Sequence, residues 1–297
     1  MHVDLLTFNI GYSKTFANGP GISCWNFVKF CKSTKFNIYS KLESDLTFNV
    51  RNYKKFNSEA DIFHWWSGDN EEFLAIALAE RKKGKKIILG PNLFDATNPK
   101  RELEICKALK PDLILVVNNL IRSQLRQYIN HKIEVFMTGP DYDLWVPSNN
   151  CNGRALWKGN HMHASKGFLF CQEIKKDHLN LDILGYPYLY RYPEHIKVAS
   201  EYSCYVSTSL TETKSEAVLE QLAAGVPAIT HPGVYISGVN YKTGIICERS
   251  LLDYSKAITR ILGDKELRDE LSMGAREYIL TNFKKETLDS QYETYIR

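Results

Sequence analysis

Short apolar runs alternate with helical patterns along the first half of the chain. The apolar runs are VDLLTF (3–8), DIFHWW (61–66), KKIILG (85–90) and DLILVV (112–117), and the clearest helical patterns are ISCWNFVKFC (22–31) and NEEFLAIALAERKKG (70–84). A buried strand followed by an amphipathic helix, repeated along the chain, is typical of a parallel sheet covered by helices. The first half therefore predicts one α/β, doubly wound domain.

The second half repeats this alternation after a segment rich in Pro and Asn, DYDLWVPSNNCNGR (141–154), which has the composition of a linker. The predicted strands are ALWKGN (155–160), LDILGY (181–186), YSCYVSTS (202–209) and VPAIT (226–230), and the predicted helices are SLLDYSKAITRIL (250–262) and KELRDELSMGAREYIL (265–280). We place the first domain at residues 1–145, the second at 146–280, and a polar amphipathic tail at 281–297. This helical tail is a candidate to pack back on the first domain.

Composition is that of a globular protein with packed cores, because 44% of the residues are hydrophobic and 12% aromatic. No run approaches the roughly 18–20 apolar residues that cross a bilayer, and the start MHVDLLTFNIGYSK has neither a charged leader nor a cleavage site. We therefore expect a cytoplasmic protein without a transmembrane segment. Seven scattered cysteines without a Cys-x-x-Cys pair indicate neither a disulfide framework nor a structural zinc site.

The net charge of +4 is concentrated in the first half of the chain. A mild basic bias permits an anionic partner, either a phospholipid surface or nucleic acid, but many enzymes carry as much charge. Charge alone therefore selects no partner.

The strongest chemical signal lies in ETKSEAVLEQLAAGVPAIT (212–230). Its middle predicts a helix that Gly225 ends as the C-terminal cap, with Glu220 inside the helix and Glu212 before it. A carboxylate can accept both vicinal hydroxyls of a ribose, and a helix N-terminus attracts phosphate. The segment is therefore a candidate nucleotide site.

The same letters have a second interpretation, since Glu216 and Glu220 are four residues apart and could form the solvated stripe of an amphipathic helix. The surrounding letters favour the first interpretation. Glutamate, seven residues, glutamate and then LAAGVPAI resembles the signature E-G-F-G-x-x-x-x-E-A-x-A-x-G-x-P-V-[IV] of the retaining GT-B glycosyltransferases of family 4, also called group 1.

The resemblance continues in order along most of the chain. The matching segments are DLILVVNNLIRSQLRQYI (112–129), VFMTGPDYDLWVP (135–147), ALWKGNHMHASKGF (155–168) and YKTGIIC (241–247). It implies the GT-B fold, in which two Rossmann-like doubly wound domains face a central cleft.

What the resemblance implies for the site is a nucleotide sugar held by the second domain, with Glu220 on the ribose, Glu212 on the donor sugar and Lys166 on the diphosphate. Departure of a nucleoside diphosphate builds negative charge, which a metal-independent enzyme must meet with fixed cations and N–H dipoles. Lys166 suits this need because it precedes Gly167 at the start of a predicted helix.

Two departures from the family pattern change this expectation. Asn160 stands where the family has a second phosphate-binding arginine, so Lys158 or Arg154 is expected to substitute. The flexible glycines that follow the first glutamate are replaced, by Thr213, Lys214 and Ser215. We expect these residues to shape an altered sugar pocket for an unusual donor.

The first domain is expected to hold the acceptor. Gly21 in NGPG (18–21) resembles the family's glycine-rich loop, where the backbone approaches phosphate. His64, at the end of its predicted strand, is either a hydrogen-bonding partner of the reacting hydroxyl or a structural histidine. Nearby side chains could stack on and orient a sugar or base, or belong to the core: Trp65, Trp66 and Asp69.

Two metal-like motifs lack the context of a metal site, DYD (141–143) and HMH (161–163). We therefore expect neither a metal nor a separate cofactor, and a nucleoside-diphosphate sugar as co-substrate. The expected reaction is retaining transfer of a hexose or pentose to a hydroxyl on a glycan. Alternatives are glycosylation of hydroxylated bases in DNA, a nucleotide-sugar epimerase, and a homologue that only binds.

Overall fold

A computed structural model describes most of the chain and divides it into two compact units. The described residues are 1–10, 19–42, 48–68, 71–93, 100–185, 192–210, 212, 214–232 and 238–297. The first unit is Met1–Thr138 together with Lys285–Arg297, and the second is Gly139–Lys284. Two residues of the predicted site, Asp69 and Thr213, lie outside the described residues.

The predicted strands and helices occur in the predicted order, together with further strands and helices that the hydrophobic pattern did not predict. The strands are β1 (His2–Thr7), β2 (Lys35–Ser40), β3 (Val50–Asn52), β4 (Ile62–Ser67), β5 (Lys86–Asn92), β6 (Leu113–Val116), β7 (Ile133–Val135), β8 (Ala155–Gly159), β9 (Leu181–Gly185), β10 (Cys204–Val206), β11 (Ala228–Thr230) and β12 (Gly244–Ile246). The helices are α1 (Gly19–Phe30), α2 (Glu71–Lys82), α3 (Lys100–Leu109), α4 (Asn119–Leu125), α5 (Phe168–Asp177), α6 (Tyr192–Ala199), α7 (Glu216–Ala223), α8 (Leu251–Gly263), α9 (Lys265–Asn282) and α10 (Lys285–Ile296).

The first unit is a parallel sheet in the order β3-β2-β1-β4-β5-β6-β7, covered on both faces. Successive residues of a strand point to opposite faces. On β4, Phe63 and Trp65 pack with α2, α3 and α4, whereas Ile62 and Trp66 pack with α1 and α10. All six residues of β4 are buried, which explains why this strand is apolar on both sides.

The C-terminal helix α10 belongs to the first unit and buries Leu288, Tyr292 and Ile296 against its sheet. The Tyr292 ring lies edge-on to Phe27, with ring centroids 4.6 Å apart, and is fully buried. Lys86 Nζ donates a hydrogen bond of 2.8 Å to the carbonyl oxygen of Ile296. These contacts fix the polar tail by its apolar face.

The second unit is a parallel sheet in the order β12-β11-β10-β8-β9. The strand order reverses between β8 and β10, because β9 lies on one side of β8 and the later strands on the other. Its core includes Trp157, Tyr254 and Ile258, all buried. The segment 141–154 lies within this unit, where Arg276 of α9 donates hydrogen bonds to the carbonyl oxygens of Trp145 and Tyr142.

Within the described part of the chain, no helix has the length and apolar character that crossing a membrane requires.

Replacing Tyr292 by Ala is expected to lower the free energy of unfolding by about 3–5 kcal/mol, the usual cost of truncating a buried aromatic side chain. Tyr128 offers a matched control in the same unit because 61% of it is exposed. Tyr128→Ala should change stability by no more than about 0.5 kcal/mol. Urea unfolding measures both variants, and equal losses would contradict the packing of α10 described here.

Candidate functional site

The loops that follow β8 and β10 leave the second sheet at the point where its strand order reverses. In open α/β sheets, ligands bind outside the carboxyl ends of the strands at such a point. The loop after β8 carries Lys166, and the loop after β10 carries Glu212. The topology therefore brings the two predicted residues to the same edge of one sheet.

Hydrogen bonds and one close backbone approach hold the loop after β8 against the loop after β10. Gly167 adopts the left-handed conformation, with φ of 67°, and a Cβ there would lie 2.0 Å from the carbonyl oxygen of Thr208. Thr208 Oγ1 donates to the carbonyl oxygen of Gly167 at 3.0 Å, and the Trp157 indole N–H donates to Thr208 Oγ1 at 2.8 Å. The Leu210 N–H donates to Ser165 O at 2.6 Å. Glycine is required here by this close approach.

Lys166 and Glu212 form an ion pair, with Nζ 2.5 Å from Oε1. Ser209 Oγ donates to the same carboxylate oxygen at 2.8 Å, and the Ser209 carbonyl oxygen lies 2.9 Å from Nε2 of His231. The Lys166 side chain is 37% exposed and that of Glu212 is 9% exposed. Since an ammonium has three N–H donors, Lys166 can keep Glu212 and still bind a ligand oxygen.

The helices that begin at this edge differ in how their N-termini are satisfied. α5 begins directly after Gly167, and no side chain among the described residues caps it. α7 is capped by the Ser215 side chain, and Glu216 in its first turn forms an ion pair with Lys214. Because α7 already carries a carboxylate, α5 is the better site for an anionic ligand.

Lys158 of β8 and Glu220 of α7 form a second, buried ion pair, with Nζ 2.6 Å from Oε2 and side chains 3% and 5% exposed. The Lys158 ammonium also lies 4.5 Å from the ring centroid of Trp145. Burial, with a smaller effect from Lys158, lowers the pKa of His195 beside Trp145 to about 3. The aromatic face of Trp145 thus covers the ammonium, and the imidazole that lies edge-on to that ring is neutral.

The helix face of Glu216 and Glu220 is not the solvated stripe that four-residue spacing allowed, because both residues are buried. Burial lowers the pKa of Lys214, and the carboxylates of Glu216 and Glu220 oppose that shift. Two ammoniums therefore balance two carboxylates in this cluster, as buried charges require.

The two expected substitutes for the missing arginine are both engaged elsewhere. Arg154 precedes β8 at its amino end and forms hydrogen bonds of 2.6 and 2.5 Å with Asp182. Lys158 is held by Glu220. Asn160 lies at the carboxyl end of β8, where its Oδ1 accepts the Met162 N–H at 2.9 Å. Arg154 is therefore excluded from the diphosphate by its position, and Asn160 shapes the turn.

His64 is fully buried in the first unit, which contradicts the prediction that it meets a substrate hydroxyl. Its Nε2 lies 2.7 Å from the carbonyl oxygen of Gly90 and its Nδ1 lies 2.8 Å from the Tyr292 hydroxyl. A carbonyl can only accept, so Nε2 carries the proton and Nδ1 accepts from Tyr292. Burial lowers the pKa of His64 to about 4, and the histidine is structural.

The predicted acceptor contacts of Trp65 and Trp66 are likewise wrong, because both side chains are fully buried. The Trp65 indole N–H donates to Gly68 O at 2.9 Å, and the Trp66 ring stacks on Phe27 with centroids 4.5 Å apart. Strand alternation sends them to opposite faces of the sheet, where the helices cover them.

Gly21 lies inside α1 rather than in a loop, and it is buried. A Cβ at this position would lie 2.6 Å from Nδ2 of Asn9. The close approach that requires glycine here is therefore that of α1 to the segment after β1.

The two metal-like motifs, DYD (141–143) and HMH (161–163), both lie within the described residues. Among the residues that the structure describes, no group of three or more His, Cys, Asp and Glu side chains is arranged to hold a metal ion.

Two residues of this site were not predicted from the sequence, Ser209 and Trp145. Ser209 ends the STS run after β10 and orients Glu212, and the ring of Trp145 lies against the Lys158 ammonium. A polar residue at a strand's carboxyl end is a usable signal for the first. The second requires tertiary structure.

Gly167→Ala should destabilise the second unit more than Gly153→Ala does. Both glycines have φ near +70°, but no atom lies within 4 Å of a Cβ added at Gly153. Gly153→Ala is expected to cost about 1–2 kcal/mol for its backbone conformation. Gly167→Ala should cost a further 1–3 kcal/mol, roughly, because Thr208 O cannot move away freely. Urea unfolding compares them, and equal costs would exclude the tight approach.

Acidification should destabilise the wild type more than a His64→Gln variant. The folded-state pKa of about 4 lies below the ordinary value of 6.5, so stability is lost as pH falls from 6.5 towards 4. Between pH 7.5 and 5 the extra loss should be about 2 kcal/mol. Unfolding at both pH values measures it, with exposed His163→Gln as a control that keeps the wild-type difference. Equal losses in wild type and His64→Gln would overturn this account.

No protein-family model matches the chain, and the comparison with curated proteins gives no match. Solved structures do match it. Sucrose-phosphate synthase from Thermosynechococcus elongatus superposes with a TM-score of 0.74 at 13% identity, over 100% of this chain and 98% of that one. HepE from Anabaena, in complex with UDP and glucose, gives 0.73 at 12% identity, over 100% and 99%.

A glycosyltransferase from Rickettsia africae gives a TM-score of 0.69 at 16% identity, over 99% of this chain and 97% of that one. These structural neighbours are GT-B glycosyltransferases. The chain has their fold, with the two Rossmann-like, doubly wound domains that the sequence predicts.

Proposed function

We propose that the protein is a glycosyltransferase that moves a sugar from a nucleoside-diphosphate sugar to a hydroxyl on a glycan, with retention at the anomeric carbon. One observation carries this proposal. Lys166 and Glu212, the residues that the family motif assigns to diphosphate and sugar, meet at 2.5 Å where the second sheet reverses its strand order. The complex of HepE with UDP and glucose, on the same fold, supports this class of ligand.

The donor is proposed to lie along the carboxyl edge of the second sheet. The diphosphate binds the Lys166 ammonium and the open N-terminus of α5, which begins two residues later. Glu220 accepts hydrogen bonds from the ribose, and Glu212 accepts them from hydroxyls of the sugar. Lys166 then links two parts of the donor, because it donates to both Glu212 and the diphosphate.

The chemistry requires little beyond charge stabilisation and positioning. The bond from the anomeric carbon to the diphosphate oxygen breaks, and a bond to the acceptor oxygen forms on the same face. The acceptor proton passes to the departing diphosphate, so no strong protein base is needed. Lys166 and the α5 dipole stabilise the negative charge on that diphosphate. A single hydrogen-bond donor that stabilises such charge is worth roughly 100- to 1,000-fold in rate.

The sugar pocket is proposed to differ from that of enzymes with glycines after the first glutamate. Lys214 and Ser215 are tied to α7 by an ion pair and a cap. Because these two residues are held in place, the backbone amides beside them can approach the sugar less closely than those of a glycine run can. This difference favours a donor sugar of unusual shape.

A glycan is kept as the proposed acceptor class. A nucleic acid acceptor finds no support in the three neighbours named above. An epimerase or a binding-only homologue would bind the same donor. Product analysis separates them, because only a transferase joins the sugar to an added acceptor.

Glu212→Gln and Glu220→Gln should fail in different steps. Glu212→Gln is expected to lower transfer by about 100-fold or more while leaving nucleotide affinity intact, because it contacts only the sugar. Glu220→Gln should raise the nucleotide dissociation constant by about tenfold, through loss of charge-assisted hydrogen bonds to the ribose. Glu173→Gln, in an exposed ion pair of α5, serves as a control that changes neither.

Thermal shift with UDP, GDP and ADP measures nucleotide binding, since a ligand at 100 times its dissociation constant adds about 2.7 kcal/mol of stability. Labelled sugar from the matching nucleotide sugar measures transfer. Wild-type transfer by both variants would refute the assignment, and so would the absence of any stabilising nucleotide.

A further inference from the structure

Lys158 of β8 forms an ion pair with a residue of α7. Its Nζ lies 2.6 Å from Oε2 of Glu220, and its side chain is 3% exposed. The Trp145 ring covers the ammonium at 4.5 Å. The backbone of Lys158 is fixed as well, because its carbonyl oxygen accepts the Tyr205 hydroxyl at 3.0 Å. Both ends of this residue are therefore held.

Because its ammonium is buried, Lys158 does not act as the second cation that binds the diphosphate. An ammonium that binds a departing diphosphate must reach the ligand, as the partly exposed Lys166 can. Lys158 instead pairs with Glu220, and burying a carboxylate without a paired charge costs several kcal/mol. Its position matters for what Glu220 can do.

The other charged groups of the cluster form hydrogen bonds or ion pairs of their own, although the Lys214 ammonium also interacts electrostatically with Glu220. Lys214 forms its ion pair with Glu216 at the start of α7, and Arg276 of α9 donates to the carbonyl oxygens of Ala223 and Trp145. His195 of α6 lies edge-on to Trp145. Lys158 therefore approaches Glu220 from the sheet, since it belongs to β8, the strand that precedes the loop with Lys166.

We propose that Lys158 is a positioning residue of the nucleotide site, which holds the Glu220 carboxylate charged and in one orientation so that it accepts the ribose hydroxyls. A carboxylate offers about four lone-pair positions, and the bond from Lys158 uses one of them. Lys158 therefore does not replace the diphosphate-binding arginine of the family, because its charge is paired with Glu220, the residue proposed to bind the ribose. This inference rests on the proposed function.

The test is discrimination between a ribose and a ribose without hydroxyls. The first probe is whichever of UDP, GDP and ADP stabilises the wild type. The second probe is the 2′,3′-dideoxy analogue of that nucleotide. The wild type should prefer the ribose form by about tenfold or more, the effect of a charge-assisted hydrogen bond. Lys158→Met should lose that preference while keeping its affinity for the dideoxy analogue. If Lys158 only maintained the structure, the variant would lose affinity for both ligands to the same extent.

Arg154→Met is the matched control, since Arg154 flanks the same strand and its ion pair with Asp182 is at the other end. It should keep the wild-type preference. Lys158→Arg, which retains the charge, should restore part of the preference that Lys158→Met loses. A Lys158→Met protein with the full wild-type preference would overturn the inference.

Lys158→Met leaves Glu220 without this ammonium and is prone to misfold, so the double variant Lys158→Met/Glu220→Gln provides a second measurement. Replacing both members of a buried pair is far less destabilising than removing one. If Lys158 acts through Glu220, the double variant has the same ribose preference as Glu220→Gln alone, and a lower preference would overturn the proposal. Failure of every nucleotide to stabilise the wild type would instead reject the proposed function and this inference with it.

Discussion

The close approach of Gly167 to Thr208 is the constraint on which the candidate site depends. Because the carbonyl oxygen of Thr208 occupies the space of a side chain at Gly167, the loops after β8 and β10 lie against each other. Their hydrogen bonds then hold the loop segments that carry Lys166 and Glu212 close together. A pair of charged residues 46 positions apart in sequence thus becomes a fixed feature of one sheet edge.

A second consequence of this architecture is a layer of buried charge below the edge. Two ion pairs, Lys158 with Glu220 and Lys214 with Glu216, lie where a Rossmann-like domain could be filled with apolar side chains. Well-packed hydrophobic replacements of such pairs are often neutral or stabilising. Stability alone therefore does not account for charge at this position, and the proposed ligand binding supplies a reason for it.

Much of the fold could be predicted from the sequence because its signals are local. The alternation of apolar runs and helical patterns predicted both sheets, and Gly225 predicted the end of α7, where its φ of 70° is left-handed. The motif around Glu212 and Glu220 supplied the site, although their partners came only with tertiary structure. Strand direction would have excluded Arg154, since a residue before a strand lies at the edge opposite the ligand.

The errors concern surfaces that distant segments cover. The period of β4 puts His64 on one face of the sheet, but the helix that covers that face is 228 residues away, so its burial has no local signal. The same helix, α10, has few apolar residues, and only their shared face reveals that it belongs in a core. An aromatic, histidine-containing strand end looks functional in sequence because structural and ligand-binding residues share the same chemistry.

Exposure assigns different roles to the two lysine–glutamate pairs. Ion pairs at the surface contribute about 0–1 kcal/mol, whereas breaking a buried pair costs about 3–5 kcal/mol. Lys166 is partly exposed, so under the proposed function it can donate to the diphosphate while it keeps its hydrogen bond to Glu212. Lys158 is buried and stays paired with Glu220. The edge of the sheet thus combines one adaptable cation, suited to charge that develops during a reaction, with one fixed cation, suited to a group that must keep its orientation throughout.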